Sequence, residues 1–139
     1  MKQSILFSSL LFFAADLASA GLIQELLVKT GTIDSAGCDC DLTFVILTPN
    51  GSCVTPSLDG PGDDFESGHV DSYTGAQLGE CNEFDAGTKL TEWEMVIIHS
   101  GSDGWAGEYV EVKLDDGTFV QCNLDNQFVD DFQSRHVYC

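Results

Sequence analysis

From Glu108 to Leu114 the chain alternates: Val110, Val112 and Leu114 fall on one side, Glu111 and Lys113 on the other. Successive side chains of an extended strand point to opposite faces, so this pattern fits a strand with one buried and one wet face. Residues 93–99 repeat it, with Trp93, Met95 and Ile97 sharing a face. The segment from Asp41 to Thr48 is β-branched and aromatic, continuously apolar in its middle, and reads as a central strand. Weaker strands are expected over 22–30, 54–58, 69–73 and 118–123. Residues 22–27 would also suit a helix, but Thr30-Gly31-Thr32 breaks it early. Pro49-Asn50-Gly51 and Asp116-Gly117 are hairpin turn signals, and 127–133 is expected to form one short helix. Seven or so short strands joined by Gly-rich turns imply a β-sandwich.

The first twenty residues stand apart. Met1-Lys2 precedes an apolar run from Ile5 to Ala15, and Ala18-Ser19-Ala20 follows. That order is a secretory signal peptide, and the run is too short for a membrane span of about 20 residues. No later stretch has the length and apolarity to span a bilayer. Residues 1–20 are therefore expected to be removed, leaving 21–139 as one domain of a secreted, extracellular protein. The whole chain has five Lys and Arg against 23 Asp and Glu; Lys2 and Asp16 leave with the signal, so the net charge stays at −18. This excludes nucleic acid, which needs cations against phosphate, and disfavours anionic lipid unless a divalent cation bridges the charges.

All six cysteines, Cys38, Cys40, Cys53, Cys81, Cys122 and Cys139, follow the signal. An even number in an oxidising compartment implies up to three disulfides, whose pairing the sequence leaves open. Cys38-Asp39-Cys40 resembles a metal pair, but a structural zinc site wants four clustered ligands and no second close pair exists, which favours a disulfide. Asn50-Gly51-Ser52 is a glycosylation sequon in an expected turn, making Asn50 a candidate acceptor.

No motif of catalysis is present: no Gly-x-Ser-x-Gly, no His-Glu-x-x-His and no phosphate-binding Gly loop. His69, His99 and His136 are scattered, and with this many acids a carboxylate pair proves nothing. The informative feature is where the acids cluster. The loop over 31–40 has Asp34 and Asp39, with Asp41 just after, and residues 59–66 hold Asp59, Asp63, Asp64 and Glu66. In an up-and-down arrangement, loops after odd-numbered strands share one end, so these two would converge. The loop over 100–105, with Asp103, would join them if no hidden strand intervenes. Converging carboxylates repel unless a cation sits between them, and oxygen ligands suit Ca²⁺. A solvated acidic loop fits the pattern equally well.

The same residues resemble the PLAT/LH2 domain family. Val28-Lys29-Thr30-Gly31 with Ala36-Gly37-Cys38-Asp39 is similar to its "V-x-T-G … A-G-T-D" opening. Gly62 to Asp71 is similar to "D-x-F-E-R-G-x-x-D", and Ile97-Ile98-His99 with Gly104 to Val112 to "I-x-H … G-W-x-x-x-x-V-x-V". The match runs from Leu26 to Phe132. It is similar to single-domain secreted PLAT proteins such as the plant stress-associated ones, and to the C-terminal domain of clostridial phospholipase C. The resemblance implies an all-β, antiparallel eight-stranded β-sandwich, C2-like, serving as a non-catalytic module on a lipid or membrane surface or an extracellular protein. It also implies calcium at Gly37, Asp39, Asp59, Gly62, Asp63 and Asp64. Departures are Cys38 in place of the family Thr, Ser100 where many members have Asp, Cys40 and Cys53 without counterparts, and Gly107 where the plant proteins have Cys. Phe65 and Trp105 lie beside the acidic loops and are candidates for membrane contact, but large aromatics are usually buried, which favours both as core residues closing the sandwich end. The alternatives to a binding module are a small secreted hydrolase or toxin-type enzyme, and a structural or defence-related protein acting through a protein partner.

Overall fold

The computed structural model describes residues 21–58, 65–101, 103–130 and 133–139. The expected signal peptide and Asp59, Gly60, Pro61, Gly62, Asp63 and Asp64 lie outside the described residues. The strands are β1 (Ile23–Thr30), β2 (Asp41–Thr48), β3 (Gly51–Val54), β4 (Val70–Thr74), β5 (Glu94–Ser100), β6 (Trp105–Leu114), β7 (Phe119–Asn123), β8 (Phe128–Val129) and β9 (Ser134–Tyr138). Two antiparallel sheets result. One has the order β4-β1-β6-β7, with β8 pairing the start of β6, and the other β3-β2-β5-β9. The all-β sandwich expected from the alternation is present, with nine strands among the described residues instead of eight.

The inward faces follow the pleat. In β6, Val110, Val112 and Leu114 are buried; in β5, Met95, Ile97 and His99 are, and in β2, Leu42, Phe44 and Ile46. Strand β1 does not alternate cleanly, because a register shift between Ile23 and Glu25 turns both Ile23 and Leu26 inward. Such a bulge adds one residue to a strand and moves the following side chains to the other face.

Two segments differ from the sequence reading. The ladder expected over 54–58 is formed instead by Gly51–Val54, and beyond it only Leu58 bridges Leu42. Pro56 has no N–H to give a ladder, and at Thr55 the side-chain hydroxyl accepts from the Phe44 N–H. The helix expected over 127–133 is replaced by β8, where Phe128 and Val129 pair with Ala106 and Trp105. Strand pairing at a sheet corner and the burial of Val129 outweigh the local helical pattern. A short 3-10 helix, Gly75–Cys81, adds an element for which the strand pattern holds no signal.

The disulfides are Cys38–Cys40, Cys53–Cys81 and Cys122–Cys139. The second ties β3 to the 3-10 helix. The third ties β7 in one sheet to the end of β9 in the other, which holds the C-terminus against the sandwich.

Candidate functional site

Strand direction brings several connections to one end. Registers run from Lys29↔Val70 and Lys29↔Tyr109 at this end to Glu25↔Thr74 and Ile23↔Leu114 at the other. In the second sheet, Asp41↔Ser100 lies at the same end and Thr48↔Gly51 at the opposite one. The loop after β1, Leu58 at its bridge to Leu42 and the start of the loop after β5 therefore share this end. The route differs from an up-and-down meander, because β1 and β2 belong to different sheets and the 31–40 loop crosses between them.

Backbone hydrogen bonds lace the loops together. Gly31 N–H donates to Ala106 O at 2.9 Å and Ala106 N–H to Ala36 O at 3.0 Å. Gly68 N–H donates to Gly31 O at 3.0 Å and Cys38 N–H to Phe65 O at 3.3 Å. The Lys29 ammonium caps Gly68 O at 2.6 Å. Gly37 is a point of close backbone approach: a Cβ there would meet Ser67 N at 2.8 Å and Phe65 O at 2.9 Å. Any side chain at this position would push the two loops apart.

Beside Gly37 an open cleft of ≈ 560 Å³ is lined by Ser35, Gly37, Asp103, Gly104, Phe128 and Asp130. Its donors are carboxylates, a hydroxyl and backbone carbonyls, an all-oxygen set that suits a hard cation such as Ca²⁺. Of the residues expected to hold calcium, Gly37 lines this cleft, Asp39 is exposed in the same loop, and Asp59, Gly62, Asp63 and Asp64 lie outside the described residues. Among the described residues no three carboxylates lie within reach of a single ion. The helical pattern of 127–133 hides Asp130 and Phe128 from a sequence reading; no local signal points them toward Gly37. Asp103 joins from the third loop.

Phe65 and Trp105 are not on the surface. Both are 0% exposed. The Trp105 indole N–H donates to the buried Thr30 hydroxyl at 3.0 Å, and Phe65 packs on it edge-on at 6.0 Å between ring centroids. They plug the end of the sandwich beneath the loops, which is the core reading of these rings and not the membrane-contact one: large rings directly under a sheet end gain more from closing the core than from facing water. Among the described residues, the exposed apolar side chains beside the cleft are Ile33, in the same loop as Ser35, and Phe128, in the cleft wall; Val70, at the start of β4, is also exposed at this end.

Asn50 lies in the β2–β3 turn at the opposite end, exposed, with its amide donating to Asp85 O at 2.8 Å. Two histidines sit beside carboxylates on the surface, His69 by Glu66 at 3.1 Å and His136 by Glu94 at 3.2 Å, while His99 is buried.

No family model matches the chain. The chain is 31% identical over 115 residues to phospholipase C of Clostridium haemolyticum, covering 78% of this chain and 27% of that protein. Its fold superimposes on the alpha toxin of Clostridium absonum with a TM-score of 0.62 and 25% identity, over 84% of this chain and 31% of the toxin. It also superimposes on coral 8R-lipoxygenase, described as calcium-activated through a C2-like domain, with a TM-score of 0.62 and 20% identity over 84% of this chain and 16% of that enzyme. The chain thus spans under a third of the length of each of these proteins. Sequence kinship with the phospholipase and the shared two-sheet architecture together make this chain a PLAT-like domain, related to the C-terminal domain of clostridial phospholipase C.

Proposed function

We propose that this chain is a secreted, non-catalytic module that binds a lipid surface through its three-loop end, with calcium as the bridge. The observation behind the reading is the pairing, at one end, of an all-oxygen acidic cleft with two exposed apolar side chains, Ile33 at 39% and Phe128 at 44% exposure. The kinship with a phospholipase and the calcium-activated C2-like domain of coral lipoxygenase support it. The catalytic activity of those enzymes does not come with the likeness, since the chain spans so little of their length.

The charge of −18 opposes approach to anionic headgroups. Bound Ca²⁺ would offset the local negative potential and share its coordination with lipid phosphate. Asp103, Asp130 and the Gly37 carbonyl are the described groups suited to hold it, with Asp39, Asp59, Gly62, Asp63 and Asp64 as the remaining candidates. Ile33 and Phe128 then add apolar burial at the headgroup boundary.

Thermal unfolding and liposome co-sedimentation test the reading together. Calcium should raise the melting temperature with an affinity of roughly 10⁻⁴ to 10⁻³ M, as in extracellular modules. Asp103→Asn with Asp130→Asn should remove that rise. The native protein should pellet with phosphatidylserine-containing vesicles in calcium and stay in solution with chelator, and Ile33→Ser with Phe128→Ser should weaken pelleting while leaving the calcium-induced rise in place. A melting curve insensitive to millimolar-range calcium refutes the bridge. Failure to pellet with any vesicle refutes lipid and points to an extracellular protein partner.

A further inference from the structure

His99 is 1% exposed, and neither Nδ1 nor Nε2 has a hydrogen-bond partner among the described residues. A neutral imidazole has one donor and one acceptor to satisfy, and an orphan this deep calls for a chemical reason. What lies beside it is sulfur: the Sγ atoms of Cys38 and Cys40 and a ring nitrogen of His99 all fall within 4.8 Å of one another. Register explains the meeting. Asp41 pairs with Ser100 and Leu42 with His99, so the residues just before β2 run alongside those just after β5. Cys40 and Leu42, two apart, are both buried, and so is His99 opposite Leu42. Gly101 has φ +150°, and a Cβ on it would sit 2.9 Å from Cys40 Cβ and 3.7 Å from His99 Cε1. Glycine lets the chain after β5 pack this closely against Cys40 and His99.

We propose that Cys38, Cys40 and His99 form a binding site for a thiophilic divalent ion, Zn²⁺, in the reduced state of the Cys38–Cys40 bridge. The structure holds the oxidised state. An external dithiol supplies two electrons and two protons: the protein S–S bond breaks, Cys38 and Cys40 become thiols, and the dithiol leaves as a disulfide. Zn²⁺ then displaces the two thiol protons and binds two thiolates and the imidazole lone pair. With Zn–S near 2.3 Å and Zn–N near 2.0 Å, tetrahedral ligands stand roughly 3.5 to 4 Å apart; the two sulfurs separate to that distance once their bond is reduced, and the ring nitrogen already lies within 4.8 Å of them. Two thiolates and one imidazole suit zinc far better than the hard cations of the acidic cleft. Three protein ligands leave the fourth position to water. The ligand set is distinct from that of the calcium reading, although Asp39 lies between the two cysteines and Gly37 just before them.

Cobalt is the probe, because Co²⁺ in a thiolate site absorbs by charge transfer and Zn²⁺ does not. The full chain is reduced with a phosphine, desalted without oxygen and titrated with Co²⁺, its strand content followed by circular dichroism. The expected result is a near-ultraviolet thiolate-to-cobalt band with intense visible bands of four-coordinate cobalt, saturating at one ion per chain and displaced by Zn²⁺. Cys38→Ser with Cys40→Ser, which retains the other four cysteines, should lose the band. His99→Gln should weaken binding by more than the roughly 10- to 100-fold typical of an outer-shell partner. As a second measurement on the unmutated chain, Zn²⁺ should slow alkylation of Cys38 and Cys40 selectively, located by peptide mass. No cobalt band in the reduced chain overturns the proposal. So does equal binding by either variant, unselective alkylation, or cobalt uptake only after the strand signal is lost.

Discussion

Replacing Trp105 with Phe isolates what the buried end of the sandwich contributes. The indole is 0% exposed and its N–H donates to Thr30 Oγ1 at 3.0 Å, with Thr30 itself buried. The smaller ring leaves a void of roughly 40 Å³, worth about 1 kcal/mol at about 24 cal/mol per Å³. It also leaves the Thr30 hydroxyl without its partner, which costs about 1–3 kcal/mol for a buried group. The expected loss is therefore about 2–4 kcal/mol. With a urea m-value of about 1.5 kcal/mol/M, the unfolding midpoint should fall by roughly 1–3 M at unchanged m. Trp93, also buried, remains as the fluorescent reporter. Thr30→Val provides the second arm: it should cost less in the Trp105→Phe background than alone, by about 1 kcal/mol of coupling. Vesicle binding by the folded variant, measured well below its midpoint, should match the native protein. A loss below about 0.5 kcal/mol, or an additive cycle, would refute the claim that this ring is locked beneath the loops.

Two further perturbations probe the frame. Cys122→Ser with Cys139→Ser opens a loop of sequence separation 17 that also joins the two sheets, and denaturant unfolding should show a loss of about 3 kcal/mol by loop-closure entropy. A loss under about 1 kcal/mol would mean the β7–β9 contacts hold the C-terminus without the bridge. In the β6–β7 turn, the Thr118 hydroxyl and N–H hold the Asp116 carboxyl below its ordinary 3.8. The folded state favours the ionised form, so this stabilisation is present above pH 3.8 and is lost as pH falls through the lower folded value. Thr118→Val should move the Asp116 titration, followed by NMR, back up toward 3.8; an unmoved titration refutes the role of the hydroxyl.

The alternation of residues 93–99 and 108–114 determined, by itself, an all-β sandwich and most of its inward faces, because side-chain direction in a strand is a local, period-two property. The motifs spread from Leu26 to Phe132 marked the PLAT-like domain, and six cysteines marked disulfides without their partners. What remained was non-local. Strands as short as Phe128–Val129 exist only because Trp105 and Ala106 offer an edge to pair with, so Asp130 could not be read from its own neighbourhood. Whether Phe65 and Trp105 face lipid or core depended on which loops stack above them, and the tertiary fold buried both. The crossing of the 31–40 loop between sheets brought Gly37 to Asp103 and Asp130, and the β2–β5 register carried His99 to Cys38 and Cys40 across some sixty residues of chain. Local pattern decides which way a side chain points; only strand register and sheet partition decide what it points at.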